Sequence, residues 1–169
     1  MARPNGPFGK IMPPSSSTTI KSVWYDVFIN HRGPDTKQTL AASIYSALKP
    51  LGVEVFLDEP ELQLGDSIPF ELQYAITTSF LHIVILSPRY AESTWCLQEL
   101  SLMLKTGQKV ILVFYNVDIS DIRYIKGNYA KAFSKHEAQA RYTSQMLEEW
   151  KMALQTVSFF KDHTVNNEE

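Results

Sequence analysis

Cysteine is nearly absent from this 169-residue chain, in which Cys96 stands alone. A single thiol excludes an intrachain disulfide framework and a cysteine-rich zinc site. No apolar run reaches the ~20 residues that a transmembrane helix needs, and no apolar signal core follows Met1. The chain also lacks an N-x-S/T sequon. These absences predict no membrane partner and are typical of a protein of the cytoplasm, with the nucleus as the second option.

Several catalytic and nucleotide-binding motifs are missing as well. The chain has no GxGxxG fingerprint, no GxxxxGK[ST] P-loop and no GxSxG nucleophile elbow. Its four histidines show no metal-ligand spacing, so we predict no metal site. A formal net charge of −2 gives no bulk attraction to nucleic acid, and strong nucleic-acid binding is not expected. A two-component receiver domain needs paired acids after its first strand, where Asn30-His31 stand instead.

The composition that is present fits one globular domain. Hydrophobic residues make up 44% of the chain and charged residues 20%, which is enough apolar material for a packed core. Residues 1–22 are rich in Pro, Gly and Ser and predict a flexible leader. We therefore place the domain at residues 23–161 and expect residues 162–169 to form a frayed tail.

Short apolar runs alternate with segments of helical spacing. The runs are rich in β-branched and aromatic residues and predict strands at residues 23–29, 53–57, 81–86 and 110–115. The last two are almost continuously apolar, as strands covered on both faces are. Helices are predicted at about residues 36–49, 68–77, 96–105, 126–136 and 143–157, and Phe159-Phe160 predicts a short edge strand.

This alternation predicts an α/β fold with a parallel sheet and helices on both faces. Its class is a flavodoxin-like three-layer sandwich of four to five strands in the order 2-1-3-4-5. In such sheets, ligands bind outside the carboxyl ends of the strands. Those ends carry basic, acidic and polar side chains: Asn30-His31-Arg32-Gly33, Asp58-Glu59-Pro60-Glu61, Ser87-Pro88-Arg89 and Asn116-Val117-Asp118.

The segment Ser93 to Leu100 starts a predicted helix on that same rim. Trp95 and Glu99 are four residues apart, so they lie on one helical face. Ser93 or Thr94 is placed to cap the helix start. An aromatic wall beside an acid suits a planar, sugar-bearing ligand. The alternative is a Trp packed in the core and a solvated Glu on a helix edge.

Four groups of motifs in this chain resemble plant Toll/interleukin-1 receptor (TIR) domains. The opening box is matched by residues 25–36, and the second box with its long loop by residues 56–58, 61–62 and 65–68. The third strand and its helix are matched by residues 86–87, 90–91 and 93–100, and the fourth strand by 113–123. The resemblance covers about residues 23–160. Since no switch domain or leucine-rich repeat follows, it implies a TIR-only protein.

The resemblance implies an activity. Many plant TIR domains cleave NAD⁺ between nicotinamide and ribose, which gives nicotinamide, ADP-ribose and cyclic ADP-ribose isomers in immune and cell-death signalling. The family's catalytic acid falls on Glu99. NAD⁺ is then the substrate, NADP⁺ a further candidate substrate, and no cofactor is required. The resemblance leaves open which cyclic isomer is formed.

Six residues are candidates for binding this substrate: Trp95, Arg32, Gly33, His31, Ser87 and Asp58. Trp95 would stack on a ring of the dinucleotide, and Ser87 would donate a hydrogen bond or cap the following turn. Arg32 would neutralise a phosphate or pair instead with Asp58 or Asp118. The His31 imidazole would face the ligand or be packed.

The loop between the second strand and the next helix is a candidate for gating and self-association. In the family, the equivalent loop gates the pocket and makes head-to-tail contacts between protomers. Here the implied residues are Glu61, Leu62, Gly65 and Ile68, and a solvated surface loop is the alternative. Self-association and contacts with other TIR proteins are therefore expected.

Two other functions compete with the enzyme, and one motif departs from the family. The first alternative is a non-catalytic TIR–TIR interaction module. The second is an assembly that processes nucleic acid into cyclic nucleotides. The family commonly has Ser-Phe-Arg-Gly-Glu-Asp where this chain reads Asn30-His31-Arg32-Gly33-Pro34-Asp35. An acid four residues after a Trp on the rim favours the enzyme.

Overall fold

The computed structural model describes residues 24–57, 68–160 and 162–165. They form a five-stranded parallel sheet in the order β2-β1-β3-β4-β5. Its strands are β1 (Val27–His31), β2 (Val55–Leu57), β3 (Leu81–Leu86), β4 (Lys109–Tyr115) and β5 (Asp162–Val165). The predicted fold class and strand order are confirmed.

Helices follow or connect the strands. They are α1 (Gly33–Thr36), α2 (Ala42–Leu48), α3 (Phe70–Thr78), α4 (Thr94–Thr106), α5 (Ile119–Arg123), α6 (Gly127–Gln139) and α7 (Ser144–Val157). A π-helical segment, Lys37–Ala41, joins α1 to α2, and a 3₁₀ turn, Tyr90–Glu92, precedes α4. Within the described ranges, none of these helices has both the length and the apolar character needed to cross a membrane.

The sheet separates two apolar cores. Successive strand residues point to opposite faces, so Phe28 and Val84 enter one core while Ile29 and Ile83 enter the other. The larger core packs the sheet against α3, α4, α6 and α7, and the smaller packs it against α2 and the segment before it. Both faces of the central strands are therefore buried, which explains their almost continuous apolar sequence.

The predicted helix over residues 36–49 is interrupted at Thr39. Its φ of −123° and ψ of −106° lie outside the helical region. The Thr39 hydroxyl donates to the Thr36 carbonyl at 3.3 Å, and the Ser43 hydroxyl donates to the Thr39 carbonyl at 2.8 Å. Such side-chain bonds compete with regular helical hydrogen bonds, and α-helical structure resumes at Ala42 after the π-helical segment.

Strand β5 lies later in the sequence than predicted. The edge strand expected at Phe159-Phe160 is wrong, because these residues belong to the turn after α7. Strand β5 is Asp162–Val165 instead, inside the segment predicted to be a frayed tail. Its sequence has no apolar run, and backbone pairing with β4 gives no periodic signal. The leader at residues 1–22 lies outside the described residues.

Candidate functional site

The carboxyl ends of β1 and β3 form the rim on which the candidate site lies. Parallel pairing sets His31 beside Ile85, so the two strands end close together. Helix α4 begins just beyond β3, and the Ser93 hydroxyl accepts a hydrogen bond from the Cys96 amide at 3.2 Å. The predicted cap is confirmed. Two strand ends and a helix start therefore meet here.

Glu99 lies one turn along α4 from Trp95 and reaches back to β1. Glu99 is 2% exposed, and its Oε2 accepts a hydrogen bond from Asn30 Nδ2 at 2.6 Å. A solvated Glu99 on a helix edge, the alternative drawn from the motif alone, is therefore wrong. The carboxylate instead ties α4 to the end of β1.

Behind Asn30 lies the buried phenol of Tyr90. Its hydroxyl is 2.5 Å from Asn30 Oδ1 and 3.0 Å from the Cys96 carbonyl oxygen. Burial raises the pKa of Tyr90 well above its ordinary value of 10, so the hydroxyl keeps its proton and acts as a donor. We call Tyr90, Asn30 and Glu99 the Glu99 network.

A second group of polar residues, the Arg32 network, lies beside the first. It consists of Arg32, Asp35, Ser87, Arg89 and Glu92. Arg32 Nη1 is 2.6 Å from Asp35 Oδ1, and its Nη2 is 3.3 Å from Glu92 Oε2. Asp35 Oδ2 accepts a hydrogen bond from the Ser87 hydroxyl at 2.6 Å, and Arg89 pairs with Glu92 at 2.8 Å. Two positive charges are thus interleaved with two negative ones.

Of the two partners considered for Arg32 in the sequence, Asp58 lies outside the described residues, and Asp118 has another role. Asp118 instead caps α5, where its Oδ1 accepts a hydrogen bond from the Ser120 amide at 2.7 Å. Arg32 pairs with Asp35 and Glu92, and 14% of its side chain is exposed. A phosphate would therefore compete with two carboxylates for this guanidinium.

His31 and Ser87 are both buried and hydrogen-bonded. His31 Nδ1 lies 3.0 Å from the Thr36 hydroxyl oxygen, and a packed histidine fits this position better than a ligand-facing one. The Ser87 hydroxyl donates to Asp35, while its carbonyl accepts from the Tyr129 hydroxyl at 2.8 Å. That carbonyl also accepts from the Tyr90 amide at 3.1 Å, which closes the turn after β3.

Trp95 and Gly33 flank the two networks. Trp95 is half-buried and packs against the larger core. Gly33 is the first residue of α1. A Cβ placed on Gly33 would meet no described atom within 4 Å. Packing within the described ranges does not require a glycine at this position.

Of the residues predicted to act in the loop after β2, only Ile68 lies within the described ranges. Asp58, Glu61, Leu62 and Gly65 lie outside the described residues, so their proposed roles stay predictions. Ile68 lies just before α3 and lines a groove of about 310 Å³ between α3, α4 and α7.

Sequence reasoning missed the residues that hold the site together. The sequence places Asn30 at a strand end and in a motif that departs from the family, but it assigns Asn30 no role in the site, and Tyr90 appears only as part of the third motif. A polar residue that follows Val27-Phe28-Ile29 in a buried strand was the available signal, because burying an amide requires hydrogen-bond partners. For Asp35, the signal was its position three residues after Arg32 in a helical turn.

Comparison with known proteins gives the family. Residues 24–169 match the family described as TIR domain. The chain therefore belongs to the TIR family, as its motifs predicted.

The chain is similar to several plant proteins. It is 37% identical over 158 residues to TMV resistance protein N of Nicotiana glutinosa, a match that covers 90% of this chain and 14% of that protein. It is 38% identical over 98 residues to the probable 2′ cyclic ADP-D-ribose synthase BdTIR of Brachypodium distachyon, which covers 58% of this chain and 44% of that protein. The chain thus spans less than half the length of these relatives, and the expectation of a TIR-only protein stays a prediction.

A solved structure agrees with the fold. The TIR domains of the activated Roq1 resistosome, which directly recognizes the pathogen effector XopQ, superpose with a TM-score of 0.75 at 40% sequence identity. The match covers 83% of this chain and 87% of that one.

Proposed function

We propose that this chain cleaves NAD⁺ between nicotinamide and ribose, giving ADP-ribose and cyclic ADP-ribose isomers. The observation that carries this proposal is the Glu99 carboxylate, held by Asn30 at the sheet rim of a TIR domain. Similarity to a protein described as a probable 2′ cyclic ADP-D-ribose synthase supports the same chemistry. NADP⁺ is a second candidate substrate, and no cofactor is called for.

The reaction suits a site with one essential carboxylate. The bond between ribose C1′ and the nicotinamide nitrogen breaks, and its electron pair stays on that nitrogen. The positively charged pyridinium thereby leaves as neutral nicotinamide, so no general acid is needed, in contrast to ordinary glycosidases. Water adds to the ribose cation and releases one proton to give ADP-ribose, or a nucleophile within the same molecule closes a cyclic product.

Glu99 is the proposed catalytic residue. It stabilises the oxocarbenium-like ribose by its negative charge and accepts hydrogen bonds from the ribose hydroxyls. The hydrogen bond from the Asn30 amide favours the ionised carboxylate that this role requires. Because charge–charge attraction strengthens where water is excluded, a buried carboxylate acts more strongly on the cation than an exposed one.

Trp95 and Gly33 are the proposed walls for the dinucleotide. Trp95 is half-buried, and its proposed role is to stack its ring on a ring of the dinucleotide. Gly33 leaves the end of β1 without a side chain, which allows close approach of a ligand to the backbone.

Arg32 could bind a substrate phosphate or pair with neighbouring carboxylates, and the geometry favours the second role. Its contacts with Asp35 and Glu92 already balance its charge. We therefore assign Arg32 to holding Asp35, and through it the Ser87 hydroxyl, in place. Neutralising a substrate phosphate would require one carboxylate to leave the guanidinium.

Self-association is the second part of the proposal. The similar TIR domains of Roq1 belong to a resistosome, and the curated relatives include plant disease resistance proteins. We propose that this chain acts in plant immune signalling and that TIR–TIR contacts raise its activity. Specific activity should fall on dilution. Constant turnover per protomer across the dilution range would contradict this part.

The competing function is a non-catalytic TIR–TIR interaction module. The burial of Glu99 favours it, since a carboxylate that is 2% exposed is not open to a ligand in this conformation. In that case the Glu99–Asn30 contact would serve only to join α4 to β1.

Nicotinamide release at high protein concentration separates the two functions. The informative variant is Glu99→Gln, which keeps the side-chain volume and an oxygen that can accept the Asn30 hydrogen bond. Its matched control is Glu137→Gln, at an exposed position whose carboxylate contacts Lys151. All proteins are first compared by circular dichroism and thermal unfolding.

We expect release by wild type and by Glu137→Gln, and a loss of about 10²-fold or more in Glu99→Gln, as for other strong electrostatic contributions to catalysis. Equal release by all three proteins would place the catalytic centre elsewhere. No release by folded, concentrated wild type would favour the interaction module.

A further inference from the structure

Asn30 stands between a buried phenol and the proposed catalytic carboxylate. We propose that Asn30 is the positioning residue that fixes the Glu99 carboxylate and keeps it ionised, and that Tyr90 in turn orients Asn30. This inference rests on the proposed function, because the carboxylate that Asn30 holds is the proposed catalytic group.

Hydrogen-bond chemistry fixes the orientation of the Asn30 amide. Glu99 Oε2 lies 2.6 Å from one end of this amide, and the Cys96 carbonyl oxygen lies 3.4 Å from it. Both atoms are acceptors, so the end that faces them must be the NH₂ group. The other end faces the Tyr90 hydroxyl at 2.5 Å, a donor that burial keeps protonated. With Glu99 ionised, donors and acceptors match only in this orientation.

The strand dictates that Asn30 faces Glu99. Residues 28 and 30 share one face of β1, and Phe28 enters the larger core against which α4 packs. Asn30 is fully buried at the next position along that face. Burying an amide there costs free energy unless its polar atoms are paired, and its contacts with Glu99, Cys96 and Tyr90 supply that pairing.

An amide suits this task because it holds a carboxylate without cancelling its charge. A Lys or Arg at the same place would neutralise Glu99 and weaken its attraction for a ribose cation. A neutral N–H donor instead lowers the cost of the charged form without itself neutralising it. Losing the donor should therefore make Glu99 take up a proton more readily and reduce the active fraction at a given pH.

Three variants test this role against a control. Asn30→Leu removes the donor and keeps the number and branching of the side-chain heavy atoms, Asn30→Asp replaces it with a second carboxyl group, and Tyr90→Phe removes only the orienting hydroxyl. Ser79→Ala is the control, since it deletes a buried hydrogen bond, to the Ala75 carbonyl at 2.6 Å, near the opposite ends of the strands. It measures what loss of stability alone does to activity.

The pH profile of nicotinamide release and the separate values of kcat and KM are the first readouts. In Asn30→Leu we expect the acidic limb of kcat to move to higher pH, with kcat reduced about tenfold at neutral pH and KM changed much less. Asn30→Asp should move the limb further, since two adjoining carboxyl groups resist sharing two charges. Tyr90→Phe should move it least, in the same direction. A limb that stays in place in folded Asn30→Leu and Asn30→Asp overturns the proposal.

A second readout does not depend on catalysis. Titration of the Glu99 carboxyl carbon by ¹³C NMR should show a midpoint at higher pH in the Asn30 variants than in wild type and Ser79→Ala. An unchanged midpoint overturns the role of Asn30 even if the enzyme is active. If wild type releases no nicotinamide, the proposed function fails, and this titration alone decides whether Asn30 tunes Glu99. If both Asn30 variants fail to fold, the Tyr90→Phe midpoint decides it.

Discussion

The Glu99 network and the Arg32 network lie on the same rim but treat charge differently. In the first, the neutral amide of Asn30 holds a carboxylate, and the neutral phenol of Tyr90 lies behind it. In the second, the guanidinium groups of Arg32 and Arg89 alternate with the carboxylates of Asp35 and Glu92. The first network is buried, whereas the second extends to the surface at Arg89.

This difference separates structural from functional charge. Each ion in the Arg32 network satisfies another ion, so the network stabilises the loop after β1 and offers little net field to a ligand. The Asn30 contact leaves the charge of Glu99 in place, a cost to folding that fits a group kept for chemistry. Loss of charge should therefore reduce the free energy of unfolding more in the Arg32 network than in the Glu99 network.

Neutralising one carboxylate in each network is the strongest test of this contrast. Asp35→Asn should lower the free energy of unfolding by about 2 kcal/mol, because it breaks a largely buried ion pair and weakens the acceptor for Ser87. Glu99→Gln should change that free energy by less than about 1 kcal/mol, since Gln still accepts from Asn30. Urea unfolding with equal m-values measures both. A larger loss in Glu99→Gln than in Asp35→Asn would refute the division.

A smaller effect is expected from a buried neutral group near the opposite ends of the strands. His82 Nε2 donates to the Ile76 carbonyl at 2.8 Å, and burial lowers the pKa of His82 below its ordinary value of 6.5. The unfolded chain therefore binds a proton at higher pH than the folded protein does. The contribution of His82 to stability is complete above pH 6.5 and declines as the pH falls below it.

Replacing His82 by Gln keeps an N–H donor and removes the titration. The free energy of unfolding, measured at pH 7.5 and at pH 5.5, should fall less in His82→Gln than in wild type. The same fall in both proteins would assign the pH dependence to other groups.

Gly33→Ala should affect ligand binding but hardly affect folding. An added Cβ meets no described atom within 4 Å, so the free energy of unfolding should stay within about 0.5 kcal/mol of wild type. If the dinucleotide passes close to this backbone, KM should rise about tenfold, as when a pocket loses room for one methyl group. Unchanged KM with unchanged stability would remove Gly33 from the binding surface.

The smallest effect belongs to the outer end of the Arg32 network. Arg89→Gln removes a contact in which 56% of the Arg89 side chain is exposed. Screening by solvent and salt leaves such pairs with little net stabilisation. The urea midpoint should shift slightly at low salt and coincide with that of wild type at high salt. A large shift that persists at high salt would show that Arg89 supports the buried half of the network.

Local patterns in the sequence predicted the elements but not the contacts between them. The cap at Ser93 and the common face of Trp95 and Glu99 follow from spacings of three and four residues, so both were accessible. The Asn30–Glu99 contact joins residues 69 positions apart, and no local period encodes it. The partner of Arg32 was accessible in principle, since Asp35 lies three residues on, but two other aspartates on strand ends competed for it.

Backbone pairing was equally hidden from periodicity. Strand β5 has no apolar run, and the two Phe residues that predicted an edge strand lie in a turn instead. There, Phe159 is 70% exposed and lies under the Arg123 guanidinium at 4.2 Å from the ring centroid. The Phe159 ring at this helix end thus takes part in a cation–π contact rather than in a strand.

The position of β5 also has a kinetic consequence. It is the last of the described strands, and it pairs with β4 along one border of the sheet. During synthesis, β4 emerges well before β5. The edge of β4 that β5 will cover therefore stays unpaired while α5, α6 and α7 are made. An open edge of Leu112-Val113-Phe114-Tyr115 is a template for other strands. Aggregation of nascent or truncated chains should therefore begin at this edge.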